Sequence, residues 1–287
     1  MNNYVLKTLA YNKQVRIFFM DNTDMIKEIC NAKDISKPLK TVLGKTVSIA
    51  TLISGTLKGN QRISIKINAS NRNYKIFADV DSMGNIRGYI NDAFLKAHLD
   101  NKNNLSTEEL LGDKGCIQVL KDLGMYRIFT GITDMPYGNI VDDFLYYFKQ
   151  SEQTDSFFSV NMVYNENNEI ALCRGIMAQL LPGAPVSLIA TIKEVISENQ
   201  SILSDMGESY NFKEIPHLLF GDIEIVDQYP VQFRCGCSKD IFYPMLYSLN
   251  KEELTNAYKS ENSLEVVCNV CGKKYSFSPQ EIKNLVQ

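Results

Sequence analysis

Four cysteines near the end of this 287-residue chain carry its most specific chemistry. They stand as Cys235-Gly236-Cys237 and, thirty residues on, Cys268-Asn269-Val270-Cys271. Two thiol pairs, each confined to a few residues, can converge on one tetrahedral ion, and a closed all-sulfur set is a way of holding Zn2+ structurally. Cys268-x-x-Cys271 with Gly272-Lys273 after it has the spacing of a zinc knuckle, with Gly272 free to take a positive φ. Cys235-x-Cys237 falls below the usual spacer of two to four residues. It also keeps its two sulfurs near enough to bond each other if the metal leaves. Zinc holds cysteines as thiolates, and the thiolate is the form oxidants attack. Two readings therefore stand side by side: a purely structural zinc ribbon, and a zinc site that doubles as a thiol switch. Arg234, Lys239, Lys273 and Lys274 lie beside the ligands in sequence and are placed to offset the surplus thiolate charge.

The remaining chemistry-bearing residues read as bland. Cys30, Cys116 and Cys173 are isolated and expected to be buried, inert side chains. Gly44-Lys45-Thr46 ends like a phosphate-binding loop, but Leu39 stands where the first glycine is needed and the stretch reads as helix. Asp79-x-Asp81-x-Met83-Gly84 resembles a calcium loop, yet Met83 offers no oxygen and Ile90 occupies the last ligand position, so a hairpin is expected. His98 and His217 are the two histidines, and neither stands in a catalytic context. No catalytic residues are assigned, and no enzyme activity is expected.

These cysteines need a scaffold, and the rest of the chain divides by charge. Residues 1–185 carry a net +2, residues 186–230 a net −6 and residues 231–287 a net +1. Pro182-Gly183-Ala184-Pro185 and Tyr229-Pro230 punctuate the two boundaries. The expected fold class is α+β: an N-terminal domain (1–185) with a large antiparallel sheet and packed helices, a helical linker (186–230), and a small zinc-binding α+β domain (231–287). In the first domain, residues 37–57 read as a largely buried helix and 62–67 as a half-buried strand. Residues 75–80 and 86–90 read as a hairpin, 115–120 and 126–132 as an antiparallel pair, and 140–150 as an amphipathic helix. Residues 156–164 and 170–181 read as two long strands joined by Asn165-Glu166-Asn167-Asn168. The acidic linker reads as short helices over 186–197 and 212–220, self-repelling and dependent on docking to a neighbour. In the last domain, 240–249 and 251–258 read as helices, 264–267 and 274–277 as a hairpin, and 279–286 as a closing helix. A core that small is marginal without a staple, and the metal would be that staple.

Composition excludes several classes. Hydrophobic content of 45% supports a core, and no apolar run approaches the ~18 residues of a membrane span. The overall charge of −3 gives no general reason to bind nucleic acid. Residues 1–10 lack the basic-then-apolar order of a secretion signal, so a reducing cytoplasm is the expected compartment.

At the Cys235-Gly236-Cys237-Ser238 and Cys268-Asn269-Val270-Cys271 motifs the chain resembles the 33 kDa chaperonin family, bacterial redox-regulated holdases. The likeness extends through residues 79–89, Tyr126-Arg127-Ile128-Phe129-Thr130-Gly131-Ile132, Ser151-Glu152-Gln153 and residues 175–183. One departure is Arg174, where the family pattern calls for a second glycine. The resemblance implies an ATP-independent chaperone that binds unfolded clients and holds one zinc ion in its reduced, inactive state through Cys235, Cys237, Cys268 and Cys271. It implies disulfides Cys235–Cys237 and Cys268–Cys271 under oxidative stress, with zinc release, linker unfolding and homodimers of the active form. Two rivals remain: a nucleic-acid-binding zinc ribbon, against which the +1 of residues 231–287 argues, and a thiol oxidoreductase using Cys235-x-Cys237.

Overall fold

The computed structural model describes residues 3–31, 35–99, 105–124, 127–205, 210–259 and 263–286. Two compact units result, Met1–Arg234 and Cys235–Gln287. In the first, β1 (Tyr4–Ala10) and β2 (Val15–Asp21) lead into helices α1 (Thr23–Asn31) and α2 (Lys37–Ser54). Strands β3 (Arg62–Asn68), β4 (Lys75–Asp81) and β5 (Asn85–Ile90) follow, then helices α3 (Asp92–Leu99) and α4 (Thr107–Leu111). Next come β6 (Gly115–Asp122), β7 (Ile128–Met135), and α5 (Ile140–Tyr147), which runs into a π-helical turn at Phe148–Glu152. The long pair β8 (Ser156–Tyr164) and β9 (Ile170–Leu180) follows. The unit closes with α6 (Ser187–Glu198), α7 (Gln200–Ser204), α8 (Ile215–Leu219), β10 (Glu224–Pro230) and β11 (Gln232–Phe233).

The strands form two sheets where one was expected: a five-stranded sheet in the order β10-β1-β2-β9-β8 and a six-stranded sheet in the order β11-β5-β4-β3-β6-β7. All ladders of this unit are antiparallel except β11 with β5. Helix α2 packs against strands of both sheets. It is apolar on nearly every side and buries residues all round, as a core helix does. Its buried hydroxyls are satisfied locally, Thr46 and Thr51 donating to the carbonyls of Val42 and Val47 at 2.7 and 2.8 Å. Gly44-Lys45-Thr46 therefore lies inside a helix rather than in a phosphate loop. Residues 79–84 form the β4–β5 hairpin, with Asp81 Oδ1 accepting from the N–H groups of Met83 and Asn85 at 2.9 and 3.0 Å.

The inner strands β1, β2 and β9 of the five-stranded sheet bury side chains on both faces. Val5, Phe18, Met20, Cys173 and Met177 join the core around α2. Their alternating neighbours Leu6, Ile17, Phe19, Ile176 and Ala178 form a second cluster on the opposite face. That second face is covered by the acidic segment, through Ile192 and Ile196 of α6, Leu203 of α7, Ile215 and Leu219 of α8, and Phe212, Phe220 and Ile223 on either side of α8. The short helices expected over 186–197 and 212–220 are present as α6 and α8, but the linker is not helical to its end. Instead residues 224–230 form β10, an edge strand paired antiparallel with β1. Val231 is buried in the first core, and Gln232 and Phe233 pair with Asn85 and Ile86, so residues 231–234 belong with the first unit.

Arg174, the departure from the family pattern, has a structural role here. It is 5% exposed. Its Nε donates to Asp21 Oδ2 at 3.0 Å, its Nη1 donates to the Asp205 carbonyl at 2.6 Å, and its guanidinium lies 5.4 Å from the Phe212 ring centroid. One side chain thus ties β2 and β9 to the covering segment. Arg174→Met keeps the stem but removes the charge partner of Asp21, whose carboxylate then keeps, among the described residues, only the Thr23 N–H and hydroxyl on Oδ1. The expected loss is about 3 kcal/mol, read as a lowered midpoint in denaturant with exchange rising first over 187–223. Equal loss of protection across the unit would point to general destabilisation instead.

Among the isolated cysteines, Cys30 and Cys173 are buried, and burial pushes both thiols up to about 12. Cys116 is only half-buried, because its strand position on β6 faces outward, where it accepts from the Asn68 amide at 3.3 Å. His217 is an exposed residue of α8, and the side chain of His98 lies outside the described residues, as does Tyr126 at the start of an expected strand. No helix among the described residues is long and apolar enough to cross a membrane.

The second unit contains α9 (Lys239–Phe242), a 3-10 turn at Pro244–Ser248, α10 (Lys251–Lys259), the hairpin β12 (Leu264–Val267) and β13 (Lys274–Phe277), and α11 (Pro279–Val286). The single helix expected over 240–249 is broken because Pro244 cannot donate to the helical ladder. Ser278 and Glu281 start α11 as a capping box, each side chain bonding the other's backbone N–H. Leu246, Leu254, Cys268, Tyr275, Phe277, Ile282 and Leu285 make the buried core of this unit.

Candidate metal centre

Two loops bring the four sulfurs of the second unit together. Cys235 and Cys237 precede α9, whose first turn is capped by Ser238 accepting from the Ile241 N–H at 3.3 Å. Gly236 adopts φ 68°, a left-handed turn that lets sulfurs only two residues apart converge. On the other limb, Cys268 follows β12, and the knuckle is closed by Gly272 N–H donating to the Cys268 carbonyl at 2.8 Å and Cys268 N–H donating to Lys273 at 2.9 Å. Gly272 takes φ 72°, as the turn requires.

All four Sγ atoms lie within 4.8 Å of one another, and among the described residues this is the one cluster suited to a metal ion. The closest approaches run between the limbs: Cys235 to Cys268 and Cys237 to Cys271, both 3.4 Å. A Zn–S bond of about 2.3 Å gives a tetrahedron with sulfur edges of ~3.8 Å, so the donor set and its spacing fit a zinc-sized ion. Cys268 is buried and the other three are half-buried.

The environment of the four thiols is uneven. Burial pushes Cys235 up, and its neighbours Cys268 and Cys237 add to the rise. Burial also pushes Cys271 up. At Cys237 burial acts in the same direction but is outweighed by hydrogen bonds from Tyr275 and the other three thiols, which bring it down to about 7. Four sulfurs in so small a volume cannot all carry charge without a cation.

The basic residues expected to offset that charge are partly engaged elsewhere. Lys239 pairs with Glu281 at 2.8 Å, and Lys274 with Glu265 at 2.9 Å. Lys239, with the Ser278 N–H and hydroxyl, holds the Glu281 carboxyl down at about 2. The Lys273 ammonium lies 5.4 Å from the Tyr275 ring centroid. Arg234 ends the first unit, donating its N–H to Ile86. Tyr275 was not singled out from sequence, yet its hydroxyl is 3.0 Å from both Sγ and the carbonyl oxygen of Cys237. The one available signal was its place two residues after Lys273, on the strand leaving the knuckle.

A sequence model of the Hsp33 protein family matches residues 3–278. The 33 kDa chaperonin of Oceanobacillus iheyensis is 31% identical over the whole of both chains. That of Shouchella clausii is 32% identical over all of this chain and 98% of its own. Among solved structures, the 33 kDa chaperonin (heat shock protein 33 homolog) of Thermotoga maritima superposes with a TM-score of 0.84 at 23% identity, covering 100% of this chain and 98% of that one. With the family pattern running through both units and the cysteine cluster, the chain belongs to the Hsp33 family.

Proposed function

We propose that this protein is a redox-regulated, ATP-independent holdase chaperone of the bacterial cytoplasm, inactive when reduced and metal-bound and active when oxidised. In this reading residues 1–185 are the folded platform, 186–230 a metastable linker, and the redox switch is seated in 235–287, the part of the expected 231–287 domain that folds as the second unit. Its clients are unfolding proteins, and the active form is a homodimer. The observation that carries it is the gathering of four sulfurs in a unit whose own core is small. The names of the relatives, chaperonins, support the same activity. The doubly buried inner strands support the release step, because unfolding of their covering segment would expose the apolar face of Leu6, Ile17, Phe19 and Ile176.

Cys235, Cys237, Cys268 and Cys271 would hold a single Zn2+, which when bound keeps them as thiolates and staples the two limbs. Oxidation joins Cys235 to Cys237 and Cys268 to Cys271. For each pair, two thiolates give up two electrons to one peroxide, one S–S bond forms as the O–O bond breaks, and with two protons from solvent the peroxide leaves as two waters. Once both pairs have closed, no thiolate remains to bind metal. The pairing within limbs matters, because bonds across the 3.4 Å contacts would staple the limbs rather than release them.

Peroxide with mild heat is the test. Thiol titration, a chromogenic zinc chelator, disulfide mapping by mass spectrometry and light scattering from a thermally unfolding client are read together. The expected outcome is loss of four thiols, release of the metal, within-limb disulfides and a gain in suppression of client aggregation. Metal and thiol loss without that gain would refute the chaperone switch, and cross-limb disulfides would refute the pairing.

A further inference from the structure

Tyr275 stands outside the sulfur set but touches it. It is 8% exposed, with its ring 5.2 Å from Phe242 and its hydroxyl 3.0 Å from both Cys237 Sγ and the Cys237 carbonyl. It lies on β13, directly after the Cys268–Cys271 knuckle, whereas Cys237 lies on the other limb. A metal-bound thiolate carries no proton, so the phenol must be the donor, sharing its single hydrogen between sulfur and carbonyl oxygen. Tyr243 provides an internal contrast. It packs in the same cluster and donates to the Glu281 carbonyl at 3.1 Å, with no sulfur as acceptor.

We infer that Tyr275 is a positioning residue of the metal centre, whose hydroxyl orients Cys237 across the two limbs and sets how tightly the metal is kept. This rests on the metal-site reading above. Groups that hydrogen-bond a ligand from outside the coordination sphere orient it and tune the metal, and losing one weakens affinity by about 10- to 100-fold. The four cysteines alone specify that a metal binds. The phenol is what turns the Cys235-Gly236-Cys237 loop toward the knuckle, and so it governs the ease of release.

The experiment uses the full reduced chain as Tyr275→Phe, which removes the hydroxyl alone, with Tyr243→Phe as its companion. Zinc affinity is measured by competition with a chromogenic chelator. In parallel, the sulfur-to-cobalt charge-transfer band is recorded at saturating Co2+, where excess metal keeps the site assembled. The expected result is a 10- to 100-fold loss of affinity and a displaced band for Tyr275→Phe, with neither change for Tyr243→Phe. Wild-type affinity and an unmoved band in Tyr275→Phe would overturn the inference while leaving the metal site intact. An affinity loss shared by both variants with an unmoved band would also overturn it, since packing would then be the cause. If the unmodified chain binds neither metal, the inference and the metal-site reading fall together.

Discussion

Cys268→Ser, or removal of metal by a chelator under reducing conditions, is expected to unfold residues 235–287 and leave the first unit folded. The reasoning is one of magnitude. The second unit has a two-stranded hairpin, short helices and a small buried cluster. A two-stranded hairpin is marginal by itself, and a core of this size supplies roughly 3–5 kcal/mol. Coordination by four thiolates contributes on the order of 10 kcal/mol in comparable small domains. A metal held there would thus contribute more than everything else the unit has. Cys268 is the most informative ligand to remove, because it is 3% exposed and its backbone closes the knuckle in both directions. Hydrogen exchange is the measurement: peptides from 263–286 should lose protection while β3, β4 and β6 keep theirs. Retained protection over 263–286 without metal would mean that the apolar cluster suffices, and the staple role would be wrong.

Ile215→Asp is expected to lift the cover from the five-stranded sheet without any oxidant. Ile215 is 0% exposed and packs in the cluster formed with Leu6, Ile17, Phe19 and Ile176. A carboxylate there has no partner, and deleting the aliphatic contacts adds its own cost, together about 3–5 kcal/mol. The covering elements cannot absorb such a loss. Helices α7 and α8 are five residues each and α6 is twelve, all too short to persist away from a surface. In the reduced, metal-loaded protein, residues 187–223 should exchange as unstructured chain while β3 to β6 stay protected. Aggregation of a client should be suppressed without peroxide. Release of the cover with no suppression would show that the uncovered face does not hold clients.

Much of the architecture is legible in the residues themselves, for physical reasons that differ by element. Strands β3, β4 and β5 bury one face and expose the other, so their period-two alternation is plain in sequence. Strand β2 is buried on both faces, and Val15-Arg16-Ile17-Phe18-Phe19-Met20 carries no alternation to read. Strand β10 hides for the opposite reason. Its side chains are nearly all exposed, so it reads as polar linker, and only pairing with β1, far away in sequence, makes it a strand. The same division holds at the site. The four clustered cysteines announce themselves through spacing, which is local. Tyr275 acts through the fold that sets one limb against the other, and no spacing rule reports that.

The strand β10 has one more consequence. It pins the far end of the covering segment by a backbone ladder to β1, while β9 holds the near end. Between them, residues 187–205 and 210–223 dock mainly through side chains, so the covering segment is a leash fastened at both ends. When it lifts it remains a closed loop, and its apolar residues stay at an effective concentration of roughly millimolar over the face they left. Rebinding is then a local event, independent of protein concentration. Under the proposed function, a client on that face would compete with a tethered rival, and on return to reducing conditions the leash itself would displace what the sheet had held.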